Sequence, residues 1–95
     1  MHAVIRHYHF KAEDASKIDQ LIKEGFVPLI KKASGFVRYY WLDSGAGEGA
    51  SLSVFKDKAG ADESVVLAAD FVKTKMSELL TQKPEVIEGP VKAHD

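Results

Sequence analysis

Residues 36–42 carry bulky side chains on both faces of an extended segment. Phe36, Arg38, Tyr40 and Leu42 share one face, and Val37, Tyr39 and Trp41 share the other. A strand of this kind needs cover on both sides. Glycines at 45, 47 and 49 then mark a turn within Ser44 to Ala50. In the next stretch, Leu52 and Val54 alternate with Ser51, Ser53 and Phe55. The pattern predicts a β-hairpin over residues 36–55.

Residues 2–10 alternate more loosely and read as a first strand. Ala3, Ile5, His7 and His9 lie on one face, and Val4, Arg6, Tyr8 and Phe10 lie on the other. A helix follows, with Asp14 or Ser16 as its N-cap. Ile18, Leu21, Ile22, Leu29, Ile30 and Ala33 recur at helical spacing, with Phe26 beside them. Pro28 has no N–H to give to the Glu24 carbonyl, so the helix should bend or break there. Either the helix curves over a twisted sheet, or a distorted turn at Glu24, Gly25 and Phe26 faces a ligand. Ser34-Gly35 ends it.

Asp57 can cap a second helix. Val65, Ala68, Ala69, Val72, Met76, Leu79 and Leu80 form its main stripe, with Leu67 and Phe71 beside it. A connector over residues 81–84 leads to a last strand over residues 85–93. Gly89-Pro90 interrupts that strand and suits an edge position.

The order β-α-β-β-α-β predicts an α+β, ferredoxin-like fold: a four-stranded antiparallel sheet with two helices on one face. One domain spans residues 1–95. The first and third strands should be central and the last an edge. The uncovered face should then expose some of Val4, Tyr8, Phe10, Phe55 and one side of residues 36–42. An apolar face of that size predicts a homodimer, sheet against sheet.

Composition narrows the chemistry. The chain has 95 residues, a formal net charge of -1 and no cysteine. Thiolate chemistry and disulfides are excluded, and a reducing, cytoplasmic setting is expected. No basic stripe favours nucleic acid, and no segment approaches the ~20 apolar residues of a membrane helix.

The pieces Val4-Ile5-Arg6, Phe10-Lys11-Ala12, Glu24 to Ile30, Gly35-Phe36-Val37 and Ser53 to Asp57 together resemble the antibiotic-biosynthesis-monooxygenase-like proteins of the dimeric α/β-barrel superfamily. The resemblance spans nearly the whole chain and implies a dimeric barrel. It also implies a candidate activity, cofactor-independent oxygenation of quinols or polyketides. The haem-degrading branch departs from this chain. That branch uses an Asn on the first strand, a Trp at the end of the third and a His on the second helix. Here Arg6 and Phe55 stand at the matched positions, and the second helix has no His. No haem and no other cofactor is expected.

By the superfamily's geometry, Arg6 and Tyr8 look into the barrel as catalytic groups. Arg38 and Tyr40 are placed inward with them, although Tyr39 and Trp41 would serve almost as well. Phe55 and Phe71 complete the expected substrate-binding set. Arginine and tyrosine among apolar residues suit a flat, partly anionic small aromatic ligand. The alternative is that both arginines pair with carboxylates such as Glu24, Asp43 or Glu85 across the dimer and the tyrosines are core. His7 and His9 point the same way on one strand, and Glu85 could join them. Without a clear third ligand, no metal is expected. A non-catalytic small-molecule-binding or stress-related dimer stands as the second reading of function.

Overall fold

The computed structural model describes residues 1–95. Strand β1 (His2–His9) is followed by a single turn at Ala12–Asp14 and helix α1 (Ala15–Leu21). A π-helical turn at Ile22–Phe26 joins α1 to α2 (Val27–Ile30). The hairpin is β2 (Phe36–Gly45) and β3 (Glu48–Phe55). Helix α3 (Lys58–Phe71) runs into a second π turn at Val72–Met76, and β4 (Glu85–Pro90) closes the chain. The sheet is antiparallel throughout, in the order β2-β3-β1-β4. This is the expected ferredoxin-like α+β arrangement, with β1 and β3 central. The last strand ends at Pro90 rather than continuing past it.

Pro28 shapes the first helical rod without breaking it. The Val27 N–H donates to the Ile22 carbonyl, five residues back. The wide turn absorbs the donor that Pro28 cannot supply. Asp14 does stand at the N-cap of α1, but its side chain makes no capping hydrogen bond, and Ser16 lies inside the helix. Asp57 does cap α3: its Oδ1 accepts from Gly60 N at 3.2 Å.

The helices cover the face carrying Val4, Arg6, Tyr8, Phe10 and Phe55. This corrects the sequence reading, which put Val4, Tyr8, Phe10 and Phe55 on the uncovered side. Both faces of β1 are partly apolar, so alternation separates the faces without saying which one the helices choose. A register shift between Phe36 and Arg38 adds a second difference. The bulge turns Phe36 toward the helices together with Tyr39 and Trp41. Phe36 packs on Phe55 (ring centroids 6.2 Å apart), Tyr39 on Phe26 (5.5 Å) and Trp41 on Tyr8 (5.4 Å).

Helix α3 lies on the sheet through Gly60, Ala61, Ser64, Ala68 and Phe71. The buried stripe is therefore rotated from the predicted one, and Ala69 is exposed. Small residues allow a close approach. A Cβ at position 60 would collide with the Ser34 carbonyl oxygen, so only glycine fits where the two helical rods meet. No helix is long and apolar enough to cross a membrane.

The opposite face of the sheet has no covering element. Ile87, Ile5, Leu52 and Tyr40 are cross-strand neighbours and form one apolar row over all four strands. Ile5, Tyr40 and Ile87 are 44%, 52% and 70% exposed, and Leu42 beside them is 55% exposed.

Candidate ligand-binding site

Arg6 stands in the middle of β1, paired with Ser51 of β3 on one side and Val86 of β4 on the other. It is 3% exposed. Its Nη2 donates to the Ser64 main-chain carbonyl at 3.3 Å, while Nη1 is buried with no hydrogen-bond partner. No carboxylate forms an ion pair with it. Within the subunit, neither Glu24, Asp43 nor Glu85 neutralises Arg6. Burial lowers the Arg6 pKa, and Tyr8, Tyr39 and Glu88 oppose that shift. A guanidinium stays charged across the working pH range. A buried cation with an unused donor is costly, and such a group asks for an explanation.

Arg6 also lines a cleft of about 370 Å³ between α3 and β4. Val65, Ala68, Ala69 and Val72 form one wall, and Pro84 and Val86 form the other. Exposed Lys73 and Lys83 complete the lining. The volume lies at the lower end of the small-molecule range. Three cations and no acid line an otherwise apolar surface, which complements an apolar anion.

Further polar groups lie on the same inner face. Ser51 and Ser53 Oγ are buried without hydrogen-bond partners. Burial pushes the Tyr8 phenol up, with Arg6 pulling the other way. Burial, together with neighbouring Tyr8, raises Tyr39 further. Both phenols are therefore neutral donors at ordinary pH. The shifts also predict alkaline lability. A native phenol that keeps its proton while the unfolded one loses it favours folding less as pH rises past ~10, the unfolded tyrosine value. Denaturant midpoints should fall above that pH, and Tyr39→Phe should flatten the fall. An unchanged profile in Tyr39→Phe would contradict this assignment.

The structure does not bring the six predicted residues together. Arg6 and Tyr8 face the helices. Arg38 and Tyr40 lie on the opposite, uncovered face and are exposed. Phe55 is fully buried core beneath Phe36. Phe71 packs on Phe26 and on Gly25, where a Cβ would come within 3.0 Å of its ring. That pairing fills the distorted turn at Glu24 to Phe26. A separate, more polar groove borders it, lined by Lys17, Gln20, Glu24, Lys75 and Phe71 among others. Ser51 and Ser64 were not singled out from sequence, and Tyr39 entered only with Trp41 as the alternative to Arg38 and Tyr40. Their parity on β3, α3 and the bulged β2 is set by pairing and packing.

No protein-family model matches the sequence, and no curated protein matches it. Solved structures do match over almost the full length. A protein of unknown function from Nitrosomonas europaea superposes with a TM-score of 0.84 at 19% identity, over 99% of this chain and 91% of its own. An antibiotic biosynthesis monooxygenase gives 0.74 at 17% identity, over 98% and 100%. This chain has the fold of the antibiotic biosynthesis monooxygenases. A monooxygenase of Streptomyces coelicolor, solved in complex with nanaomycin D, shares that fold with a TM-score of 0.73 at 12% identity, over 99% and 89%. In the antibiotic biosynthesis monooxygenase fold the scaffold alone does not fix the reaction, which rests on the residues of the site.

Proposed function

We propose that this protein binds a flat, partly anionic aromatic, a quinol or polyphenolic polyketide-like compound, in the Arg6 cleft and oxygenates it without a cofactor. One observation carries the reading: Arg6, buried with an unpartnered Nη1, is among the residues lining a cleft that holds cations and no acid. A phenolate or enolate oxygen is the natural partner for that donor. Arg6 would hold the substrate as its enolate, and the electron-rich carbon would reduce oxygen directly. For a methylene substrate the balance is one dioxygen consumed per turnover. One of its oxygen atoms becomes the carbonyl oxygen of the ketone product. The other leaves as water with the two methylene hydrogens. Tyr8, two residues along the same face, packs on Trp41 outside the cleft lining and would have to turn toward the ligand to donate. The likeness to a monooxygenase solved with nanaomycin D supports this class of ligand.

A second reading, a binder without turnover, is favoured by a different observation. The cleft lining contains no carboxylate and no imidazole, so no proton acceptor stands at hand. The deciding experiment is oxygen uptake with a panel of anthrones and naphthoquinols, run alongside thermal denaturation with each compound. The enzyme reading predicts uptake above the spontaneous rate. The binder reading predicts a raised Tm with no added uptake. A panel that does neither would overturn both.

We also propose that two copies associate through their uncovered sheet faces as a homodimer. The apolar row from Ile87 to Tyr40 crosses every strand, while His7, His9, Glu48 and Glu85 stand at one end. A face with an apolar centre can serve as its own partner under two-fold symmetry.

A further inference from the structure

The uncovered face holds a second cluster, separate from the Arg6 cleft. Strand alternation turns His7 and His9 to the same side of β1, with ring centroids 4.4 Å apart. Register places Glu48 of β3 opposite His9 and Glu85 of β4 opposite His7. The two rings thus sit between two carboxylates. Toward Glu48 Oε1, His7 Nε2 lies at 3.0 Å and His9 Nδ1 at 3.8 Å. Toward Glu85 Oε1, His7 Nδ1 and His9 Nε2 both lie at 3.4 Å.

All four ring nitrogens lie within 3.8 Å of a carboxylate oxygen, and His7 Nε2–Glu48 and His9 Nε2–Glu85 have hydrogen-bond geometry. A neutral imidazole has one N–H and one lone pair, so each ring keeps one nitrogen free to act as a ligand. If both N–H groups turn to Glu85, three lone-pair atoms converge on the other side. These are His7 Nε2, His9 Nδ1 and a Glu48 oxygen, and such ligand atoms of the three residues lie within 4.8 Å of one another. Ligands about 2.0–2.2 Å from a tetrahedral ion stand roughly 3.4 Å apart, so small side-chain rotations close the site.

We infer that His7, His9 and Glu48 bind a first-row divalent transition ion of the Zn2+ type, with Glu85 as the outer carboxylate that fixes both rings. Two imidazoles and one carboxylate leave a position open for water, as in zinc sites that are not closed by protein. Glu85 supplies the hydrogen-bonded support that metal-bound histidines ordinarily have. The ion would tie β1 to β3 at the end of the sheet beyond the apolar row, and its outer partner would extend the tie to β4. This arrangement is independent of anything bound beside Arg6 on the other face.

The test is titration of the tag-free protein with Zn2+ near pH 7.5, followed by calorimetry and by the histidine ring signals in NMR. We expect one ion per chain with micromolar or tighter affinity. The rings of His7 and His9 should shift while those of His2 and His94 stay in place. Glu85→Gln should weaken binding by about 10–100-fold. Glu48→Gln should weaken it at least as much, and His94→Ala should leave it unchanged. Absence of Zn2+ uptake, or uptake that moves His2 and His94 instead, would overturn the assignment. The ring signals are read on the unaltered chain, so a variant that failed to fold would not blunt the test.

Discussion

Replacing Arg6 by methionine should impair the proposed ligand binding and turnover and leave the protein at least as stable as before. The two halves of this result have one cause. In the folded chain the Arg6 guanidinium is almost fully buried, bonds one main-chain carbonyl and leaves Nη1 unused. A buried charge without a counter-ion opposes folding, and exchanging such groups for apolar ones of similar volume is often neutral or stabilising by about 1–4 kcal/mol. Methionine has the length to fill the space beneath α3. The same exchange removes the only buried cation of the cleft. Loss of one donor to a developing oxyanion costs about 10²–10³-fold in rate. Oxygen uptake with the best quinol or anthrone should fall by that factor, and the ligand-induced rise in Tm should disappear. If Arg6→Met instead lowers the denaturant midpoint and leaves uptake intact, Arg6 is a structural residue and the proposed site is wrong.

If two copies pair through the uncovered face as proposed, Ile5→Asp should yield a monomer without unfolding it. Ile5 sits at the centre of the uncovered face, between Ile87 and Leu52 in the apolar row. In a single subunit it is 44% exposed, so a carboxylate there remains hydrated and the fold survives. In a two-fold dimer the substitution enters twice, and each carboxylate is buried without a partner. Breaking a buried pairing surface in this way costs about 3–5 kcal/mol, or roughly 10³-fold in the dimer dissociation constant. Sedimentation velocity over a dilution series measures this directly. A wild-type chain that is already monomeric at micromolar concentration would remove the basis of the prediction.

The topology was legible from sequence because it rests on periodicity and punctuation. The helical spacing from Ile18 to Ala33, the glycines around residue 47 and the break at Gly89-Pro90 each mark an element that the structure contains. The choice of face was not legible. On β1 the set of Val4, Arg6, Tyr8 and Phe10 competes with the set of Ala3, Ile5, His7 and His9, and both contain apolar and polar members. What settles the matter is the second helix. Gly60, Ala61, Ser64 and Ala68 make a smooth surface that can lie directly over Arg6 and offer it the Ser64 carbonyl. That run of small residues was a signal in the sequence, outweighed by the bulkier stripe from Val65 to Leu80.

The bulge after Phe36 had no such signal. It breaks the alternation of residues 36–42, which is why Arg38 and Tyr40 part from Phe36 and from the Arg6 face. Sequence placed Arg6, Tyr8, Arg38 and Tyr40 in one chamber; pairing and packing divide them between two faces. Glu48 was hidden for a related reason. Its meeting with His9 depends on the register of β3 against β1, two strands far apart in the sequence.

Titration of the protein with a hydroxyanthraquinone that cannot turn over, followed by NMR, tests the placement of the ligand most directly. The guanidinium signals of Arg6 should move together with the amides of Val65, Ala68 and Val86, while Arg38, Tyr40 and Leu42 stay still. Shifts confined to Arg38, Tyr40 and Leu42 would put the ligand on the uncovered sheet face and contradict the account.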